Sequence, residues 1–523
     1  MKSSDYRTLG DAIRAQAALR PDAVALIYQD RRSTYRALDA AANRLANALL
    51  DLGVQKRDRV CILAKNSDRY LECIFGTSRA GAVITPINWR LAPAEIEYIL
   101  NDSRATILFV DADLMAGLNG VDCSRLTHRI VLDVAAPGGL DYETLTARAA
   151  PSDPGVELSP QDVVMQMYTS GTTGRPKGAM LTNANFLKIC DLEGPPTPPW
   201  FQMQSSDISI VAVPLFHIGG VETSLRPLFC GATLIIHREF DPASVLADIE
   251  AFGVTVIALV PTALQMVIEH PNAEHTDFNS IRTLFYGASP IPLDLLRESI
   301  RVVNCDFVQA YGMTETTATI VTLPPADHSP EGTPRMRSAG KPLPGVELKV
   351  VDGNGAALGP HQVGEIVVRT RSVMCGYWGM PEATAAAIDA EGWLSTGDAG
   401  YLDEDGYIYI HDRVKDMIVS GAENIYPAEV ENAIFGHPQV AEVAVIGVPD
   451  PKWGEAVKAV IVPRPGEIID EAELLTWVRT RIAGYKVPRS IDIIEELPHN
   501  ATGKVLKIEL RKPYWAGYTR AVN

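Results

Sequence analysis

The stretch YTSGTTGRPKG, residues 168–178, is the densest run of hydroxyl groups, glycines and cations in the chain. Its glycines allow a tight loop whose backbone N–H groups converge on an anion, while the hydroxyls and cations supply further donors. The expected contributors are Thr169, Ser170, Gly171, Thr172, Thr173, Gly174 and Lys177. The spacing differs from the Walker A pattern, since Gly178 rather than Ser or Thr follows the lysine. The stretch therefore predicts a phosphate-binding loop of another kind.

A second segment, QAYGMTET (residues 309–316), offers the other groups that a nucleotide site needs. Tyr311 provides an aromatic face that could stack on adenine. Thr314 adds a hydroxyl, and Glu315 adds a hard carboxylate suited to Mg²⁺ shared with phosphate oxygens. The segment predicts a site for a metal-bound nucleotide.

Three single residues complete the set of candidates. Asp398, in STGD, is a carboxylate that could accept both vicinal hydroxyls of a ribose. Lys504, in NATGK, is a compact cation on a flexible stem. His217, in PLFHIGG, stands between a strand pattern and two glycines.

The elements that must position these residues alternate along the chain. Residues 34–53 have the apolar periodicity of an amphipathic helix, and the flanking apolar runs 24–29, 59–64, 82–88 and 106–111 predict strands. Strands alternating with helices indicate a mostly parallel sheet covered on both faces, and residues 206–320 repeat this rhythm. We expect an α/β fold with stacked mixed or parallel sheets in a large N-terminal domain.

The pattern changes after about residue 340. Short, glycine-punctuated strands there predict an antiparallel or barrel-like section. A small α+β segment follows, with a helix opened by Asp470 and Glu473 in a capping-box-like start. We place the large domain at residues 1–413 and a small C-terminal domain at residues 414–523.

Composition excludes several functions. The net charge of −17 argues against general nucleic-acid binding, which depends on phosphate neutralisation. The seven scattered cysteines contain no CxxC pair, which favours reduced thiols over disulfides or a zinc site. The N-terminal stretch lacks the apolar region of a signal peptide, and no apolar run reaches spanning length. A cytoplasmic protein without a transmembrane segment is expected, and a homodimer is plausible.

Six motifs occur in an order that is specific to one superfamily. They are YTSGTTGRPKG, YGASP (286–290), QAYGMTET, STGD (395–398), HDRVKDMIVSGAENIYPAEVE (411–431) and LPHNATGKVLK (497–507). In these motifs, and over nearly its whole length, the chain resembles the adenylate-forming superfamily of acyl-CoA synthetases, peptide-synthetase adenylation domains and firefly luciferases. The resemblance implies a small C-terminal domain that reorients between two half-reactions.

The resemblance also implies roles for individual residues. Thr172 and Glu315 would bind Mg²⁺, Lys504 would be the catalytic lysine together with Thr314 and Glu315, His217 would gate acid entry, and Lys415 would be the hinge. The ATP or AMP site would comprise the loop residues above with Gly287, Ala288, Ser289, Gln309, Ala310, Tyr311, Gly312, Met313, Thr314, Asp398, Arg413 and Lys504. Coenzyme A would meet Arg90, Gly421, Ala422 and Trp453. The chain departs from the usual pattern at Asp412, where relatives usually carry Gly, and at Ala422, where they often carry a second Gly.

The expected reaction is ATP- and Mg²⁺-dependent activation of a hydrophobic, small-molecule carboxylic acid to acyl-AMP with release of pyrophosphate, followed by transfer to coenzyme A as co-substrate. The acid pocket should be lined by the stretches after His217 and around FYGAS and MTETTA, which are mostly small and apolar. A medium- or long-chain fatty acid is favoured, and a benzoate- or cinnamate-type aryl acid is the alternative.

Three other functions are weighed against this one. Amino-acid activation would need an aspartate near the pocket, where this chain has His217. A luciferase-like oxygenase shares every motif and differs only in light output. A non-catalytic nucleotide sensor could lose Lys504, so the retention of that lysine with Glu315 favours catalysis.

Overall fold

The structure is a computed structural model that describes residues 6–134, 140–169, 176–191, 197–413, 417–420, 423–499 and 505–516. The helices are, in chain order, α1 (Leu9–Leu19), α2 (Tyr35–Asp51), α3 (Asp68–Arg79), α4 (Pro93–Ser103), α5 (Tyr142–Ala147), α6 (Asn183–Asp191), α7 (Ile218–Cys230), α8 (Pro242–Phe252), α9 (Pro261–Ile268), α10 (Leu293–Val303), α11 (Pro381–Ala387), α12 (Pro427–Phe435), α13 (Glu471–Arg479) and α14 (Lys507–Trp515).

The strands are, in chain order, β1 (Val24–Tyr28), β2 (Arg31–Thr34), β3 (Arg59–Leu63), β4 (Val83–Pro86), β5 (Ile107–Val110), β6 (His128–Val131), β7 (Leu140–Asp141), β8 (Val163–Thr169), β9 (Lys177–Thr182), β10 (Ile208–Val211), β11 (Thr233–Ile236), β12 (Val256–Leu259), β13 (Thr283–Gly287), β14 (Asp306–Met313), β15 (Ala318–Leu323), β16 (Lys341–Pro342), β17 (Glu347–Val351), β18 (Gly364–Arg369), β19 (Leu394–Leu402), β20 (Ile408–Arg413), β21 (Ile418–Ser420), β22 (Glu423–Ile425), β23 (Val440–Asp450), β24 (Gly454–Pro463) and β25 (Ser490–Ile493).

Two large mixed sheets organise the N-terminal part of the chain. One has the order β16-β15-β14-β13-β12-β10-β11-β1-β2, and the other has the order β7-β6-β5-β3-β4-β8-β9. The inner strands pair in parallel, while the edge pairs β1–β2, β14–β15 and β8–β9 are antiparallel. This arrangement confirms the predicted α/β fold.

Helix α2 shows why a helix could be predicted here from the local sequence pattern. The Thr34 hydroxyl accepts a hydrogen bond from the Ala37 backbone N–H and so caps the first turn. Leu38, Leu45 and Leu49 lie on one face and are fully buried. Gly53, with φ of +86°, takes the left-handed conformation just after the helix, which an L-residue with a side chain rarely adopts.

The section after residue 340 is built from antiparallel pairs, as predicted. Strands β17-β18-β19-β20 form a four-stranded antiparallel sheet, and a bridge between Gly340 and Ile408 ties its last strand to the preceding loop. Strands β21 to β25 form a further sheet.

The C-terminal sheet has a hydrophobic core of its own. Val430, Ile434, Val445, Leu474 and Val478 are among the buried residues of this core. Asp470 caps α13 by accepting hydrogen bonds from the backbone N–H groups of residues 472 and 473, which confirms the predicted start of that helix.

The candidate site residues collect where parallel strands end. Thr169 ends β8, Gly287 ends β13, Arg90 follows β4 and His217 follows β10. Ligands of open α/β sheets bind at the carboxyl ends of the strands, so this edge is where a substrate is expected. Among the residues that the structure describes, no helix combines the length and apolar character needed to cross a bilayer.

Candidate active site

The predicted metal ligand Glu315 is buried and joined to the phosphate loop. It lies in a short 3₁₀ turn directly after β14, with 6% of its surface exposed. The hydroxyl of Thr169 donates to Glu315 Oε1 over 3.2 Å, and the hydroxyl of Tyr377 donates to the same oxygen over 2.9 Å. A buried carboxylate set among hydroxyls fits a hard cation such as Mg²⁺.

The two ends of the phosphate loop meet in a hairpin. Thr169 at the end of β8 and Lys177 at the start of β9 are paired across the antiparallel ladder. The Lys177 ammonium lies 5.0 Å from the centre of the Tyr377 ring. Burial, with the nearby charge of Glu315, raises the pKa of Tyr377. The loop is therefore closed at its base beside Glu315, and Tyr377 remains a neutral donor.

The predicted nucleotide segments lie side by side on β13 and β14. Gly287 is paired with Ala310, and a Cβ at Gly287 would lie 2.0 Å from the Ala310 carbonyl oxygen. A Cβ at Gly312 would lie 1.9 Å from the Ala318 carbonyl oxygen. Ala288 has a φ of 67°, so the chain turns sharply into the exposed loop that holds Ser289. Both glycines are thus required by close backbone approach.

The predicted adenine and ribose ligands are in direct contact. The Tyr311 hydroxyl donates a 2.6 Å hydrogen bond to Asp398 Oδ2, although the two residues are 87 positions apart. Asp398 on β19 is paired with Arg413 on β20. Gln309 and Met313 belong to the same strand as Tyr311, and Thr314 begins the turn that carries Glu315. One continuous surface therefore runs from the predicted nucleoside site to the predicted metal site.

The predicted acid gate, His217, stands at the N-terminal end of α7. Its backbone N–H donates to the Pro214 carbonyl oxygen, and its ring centre lies 4.5 Å from that of Phe216. The helix start is thus held against the loop after β10.

The region around the predicted acid pocket differs from the small, apolar lining that was expected. Lys188 on α6 and Glu222 on α7 are each 8% exposed, and both contact Thr319 on β15. Sequence reasoning missed these two residues. The available signal was a charged residue within each apolar helix pattern, in NFLKIC and GGVETSL.

Arg90 lies on a cavity of about 170 Å³ whose lining includes Trp89, Arg238, Phe240 and Met266. The Arg90 guanidinium sits 4.3 Å from the centre of the Trp89 ring. Burial lowers the pKa of Arg90. The guanidinium of Arg238 is ion-paired with Asp111 and Asp113, and the carboxylate of Glu239 also lines the cavity. The cavity therefore combines aromatic walls with charges of both signs, and its guanidinium groups could meet an anionic ligand with a flat ring. Arg238 was not foreseen from the sequence.

Trp453 belongs to the turn between β23 and β24 in the C-terminal sheet. Its ring has the ammonium of Lys452 at 4.7 Å and the guanidinium of Arg489 at 5.1 Å from its centre. The backbone N–H of Trp453 donates to Asp450 Oδ1, which fixes the turn. This part of the predicted coenzyme A surface therefore presents an aromatic ring with cations beside it.

Several predicted residues lie outside the described residues, and Arg413 is described by its backbone alone. These residues are Ser170, Gly171, Thr172, Thr173, Gly174, Lys415, Gly421, Ala422 and Lys504. The flanks of Lys504 are described. His499 and Val505 form an antiparallel bridge, and His499 Nε2 lies 3.1 Å from Glu442 Oε2.

Thr169 contacts the buried carboxylate of Glu315, and Tyr311 on the strand that precedes Glu315 contacts Asp398. The family model described as "AMP-binding enzyme" matches residues 13–378, and that described as "AMP-binding enzyme C-terminal domain" matches residues 429–504. The chain belongs to the AMP-binding enzyme family, and the predicted acyl-CoA synthetase class is confirmed.

Individual relatives differ in the substrates that their names state. A feruloyl-CoA synthase from an Amycolatopsis species is 42% identical over 95% of this chain and 97% of its own length. A fatty acid–[acyl-carrier-protein] ligase, ScoC, from Streptomyces coeruleorubidus is 39% identical over 99% of this chain and 98% of its own. The crystal structure of an anthranilate CoA ligase, AuaEII, in complex with anthranoyl-AMP superposes with a TM-score of 0.90 at 28% identity, covering 98% of this chain and 99% of that one.

Proposed function

We propose that the protein joins a hydrophobic carboxylic acid to coenzyme A in two steps. A carboxylate oxygen attacks the α-phosphorus of ATP, and the bond from that phosphorus to pyrophosphate breaks. The thiol sulfur of coenzyme A then attacks the acyl carbon, and the bond from that carbon to AMP breaks. The observation that carries the proposal is the Tyr311–Asp398 hydrogen bond, which joins the nucleoside ligands on the same surface as Glu315.

The residue roles follow from charge and position. Asp398 and Arg413 would hold the ribose, and Tyr311 would stack on adenine. The loop that begins at Thr169 and ends at Lys177 would hold the phosphates that leave as pyrophosphate. Glu315 and Thr172 would hold Mg²⁺, which when bound neutralises phosphate charge. Lys504 would neutralise the charge that develops as the carboxylate meets the α-phosphate.

The coenzyme A end of the site has two supporting features. The cavity beside Arg90 offers guanidinium groups for phosphates and aromatic walls for adenine. Trp453, with Lys452 and Arg489 beside its ring, offers a similar surface on the C-terminal sheet. Gly421 and Ala422 would line the pantetheine passage after the C-terminal domain has turned about Lys415.

The identity of the acid is a finer question. A medium- or long-chain fatty acid stays the prediction from the sequence. The aryl-acid alternative is supported by two relatives whose names state aryl substrates, the feruloyl-CoA synthase and the anthranilate CoA ligase.

Pyrophosphate release tests the first step directly. The protein is incubated with ATP, Mg²⁺ and a panel of straight-chain and aromatic acids, and CoA ester formation is followed after coenzyme A is added. We expect pyrophosphate release that depends on the acid, and AMP released together with the CoA ester. Pyrophosphate without acid dependence, or ADP as the product, would overturn the proposal.

Lys504→Ala separates the two steps. It should slow adenylate formation by about 10²-fold or more, because one well-placed group facing developing charge is worth that much. It should spare thioester formation from supplied acyl-AMP, because that step would use the other domain orientation. Equal losses in the two steps would contradict the role of Lys504.

A further inference from the structure

One side of the first turn of α7 faces open space. A Cβ added at Gly219 would meet no atom within 4 Å, whereas a Cβ at Gly220 would lie 2.3 Å from the Pro214 carbonyl oxygen. Thr223, one turn after Gly219, is partly exposed on the same side, and His217, which is the N-cap residue of the helix, is partly exposed as well. The open space therefore lies where the acid is expected, along the helix that follows the gate residue.

Glu222 lies directly after the first turn of α7, and only one of its two carboxylate oxygens accepts a hydrogen bond from the part of the chain that the structure describes. Its Oε2 accepts hydrogen bonds from the backbone N–H of Thr319 at 3.2 Å and from the Thr319 hydroxyl at 2.7 Å. Its Oε1 is buried and has no hydrogen-bond partner among the residues that the structure describes. The Arg226 guanidinium is 3.9 Å from Oε1, which is an ion-pair distance rather than a hydrogen bond. A buried carboxylate oxygen without a donor is costly, so this atom is expected to meet a ligand or a water.

Two buried cations stabilise this carboxylate. The Lys188 ammonium donates to the carbonyl oxygens of Thr316 and Thr319. Burial lowers the pKa of Lys188 to about 8, and the charge of Glu222 opposes that change. Arg226 donates to the Phe201 carbonyl oxygen and lies 3.8 Å from the centre of the Phe201 ring. Both cations thus lie close to Glu222, whose carboxylate form can only accept hydrogen bonds.

We propose that Glu222 Oε1 accepts a hydrogen bond from an O–H or N–H group remote from the reacting carboxylate of the substrate. The enzyme then selects acids that carry such a donor over acids of the same shape that lack one. This inference rests on the proposed function and names the substrate class for the same site. The discrimination arises because an acid without the donor would exclude water from Oε1 and leave that oxygen without a hydrogen bond.

Matched pairs of acids test this selection in the unaltered protein. One pair is para-hydroxycinnamate and cinnamate, and the other is an ω-hydroxy fatty acid and the same fatty acid without the hydroxyl. We expect kcat/KM for pyrophosphate release to be about 10-fold or more higher for the hydroxylated member of one pair. The pair that shows this preference tells whether the substrate is an aromatic or an aliphatic acid. Ratios near one in both pairs, with turnover of the acids, overturn the inference while the proposed function stands. No acid-dependent pyrophosphate release with any of them overturns the proposed function, and this inference with it.

Substitution of Glu222 assigns the selection to that side chain. The preference should fall toward one in Glu222→Met, which removes both acceptors, and to an intermediate value in the isosteric Glu222→Gln. Glu222→Met removes the carboxylate beside Lys188 and Arg226 and could therefore fail to fold. In that case the ratio of kcat/KM values in Glu222→Gln tests the inference. Glu72→Gln is the matched control, since Glu72 is also a shielded carboxylate with a hydroxyl partner, Tyr142, but contacts α5 instead. An unchanged ratio in the Glu222 variants overturns the inference.

Discussion

At the scale of single residues, the chemistry of the site depends on a few buried polar contacts. Glu315 Oε1 receives two hydroxyl donors, from Thr169 and Tyr377, and these orient the carboxylate before any cation arrives. Asp398 is oriented in the same way by Tyr311. Catalytic and binding groups that are held in place lose less entropy on binding, which is why such supporting hydroxyls matter.

Glu315→Gln should lower the rate of adenylate formation by about 10²-fold or more, because the charge that holds Mg²⁺ against the phosphates is removed. The apparent affinity for Mg²⁺ should fall as well. Both quantities are measured by pyrophosphate release over a series of Mg²⁺ concentrations. Tyr377→Phe is the matched control and should cost about 10-fold or less, since it removes only one supporting hydrogen bond. Unaltered Mg²⁺ dependence in Glu315→Gln would contradict the metal role.

Arg90→Ala should raise the KM for coenzyme A by about 10-fold, because a charge-assisted contact to phosphate is removed. Pyrophosphate release in the absence of coenzyme A should change little, because this cavity would not contact ATP. The KM for dephospho-coenzyme A, which lacks the phosphate on the ribose, is measured in both proteins. If Arg90→Ala raises the KM for coenzyme A but not for dephospho-coenzyme A, the contacted phosphate is the one on the ribose. Arg369→Ala, which removes another arginine stacked on a tryptophan, should leave the KM at its original value. An unaltered KM in Arg90→Ala would remove that residue from the coenzyme A site.

At the scale of elements, the segment that carries Lys504 is held at both ends. The His499–Val505 bridge closes its base, and the ion pair between His499 and Glu442 lies beside that bridge. Beyond it, the ammonium of Lys507 lies 2.8 Å from Glu431 Oε1, which also accepts from the backbone N–H of Val445. These contacts tie the described residues on either side of positions 500–504 to β23 and α12.

The His499–Glu442 pair makes this attachment dependent on pH. The hydrogen bond to Glu442 raises the pKa of His499 above its ordinary value. The stabilisation is therefore fully present below the unfolded-state pKa, and it is lost as the pH rises through the folded-state value. Compared with wild type, His499→Gln should lower the melting temperature by about 1 to 3 °C at acidic pH and by less at alkaline pH, since partly exposed pairs contribute little. Scanning fluorimetry at the two pH values measures this, and a larger loss at alkaline pH would contradict the assignment.

At the scale of the whole molecule, the proposed reaction needs two arrangements of the C-terminal domain. The nucleoside ligands Tyr311 and Asp398 belong to the large N-terminal part, whereas Lys504 and Trp453 belong to the C-terminal part. Lys504 would serve the first step and Trp453 the second. A hinge at Lys415 would exchange them, because only the backbone near that position connects the two parts in sequence.

Lys415→Pro should stop the exchange, because proline fixes φ and removes a backbone donor. The variant is expected to form acyl-AMP and to make little CoA ester, and both products are measured in one quenched reaction. Lys415→Ala is the control, since it removes the ammonium but keeps the backbone free, and it should retain CoA ester formation. Normal CoA turnover in Lys415→Pro would show that the hinge lies elsewhere.

The sequence by itself determined the reaction chemistry and most local structure. The hydroxyls, glycines and lysine of residues 168–178 are typical of a loop that binds an anion. Helix caps such as Thr34 and Asp470 bind backbone groups within a few residues of their own position. These features could be predicted because side-chain chemistry and helix capping are local. The burial of Lys188 and Glu222 near α7 could not be predicted in the same way, since counting residue types does not show which helix faces meet.

Only the tertiary structure decided which distant residues meet. Thr169 reaches Glu315 across 146 positions, and Tyr311 reaches Asp398 across 87. The contact of Lys188 and Glu222 through Thr319 joins α6, α7 and β15. Such contacts follow from the order of strands in the sheets and from how the helices pack on them, and neither is encoded in the periodicity of a single segment. For that reason the motifs indicate the class of reaction, while the packing around α7 would govern which acid is selected.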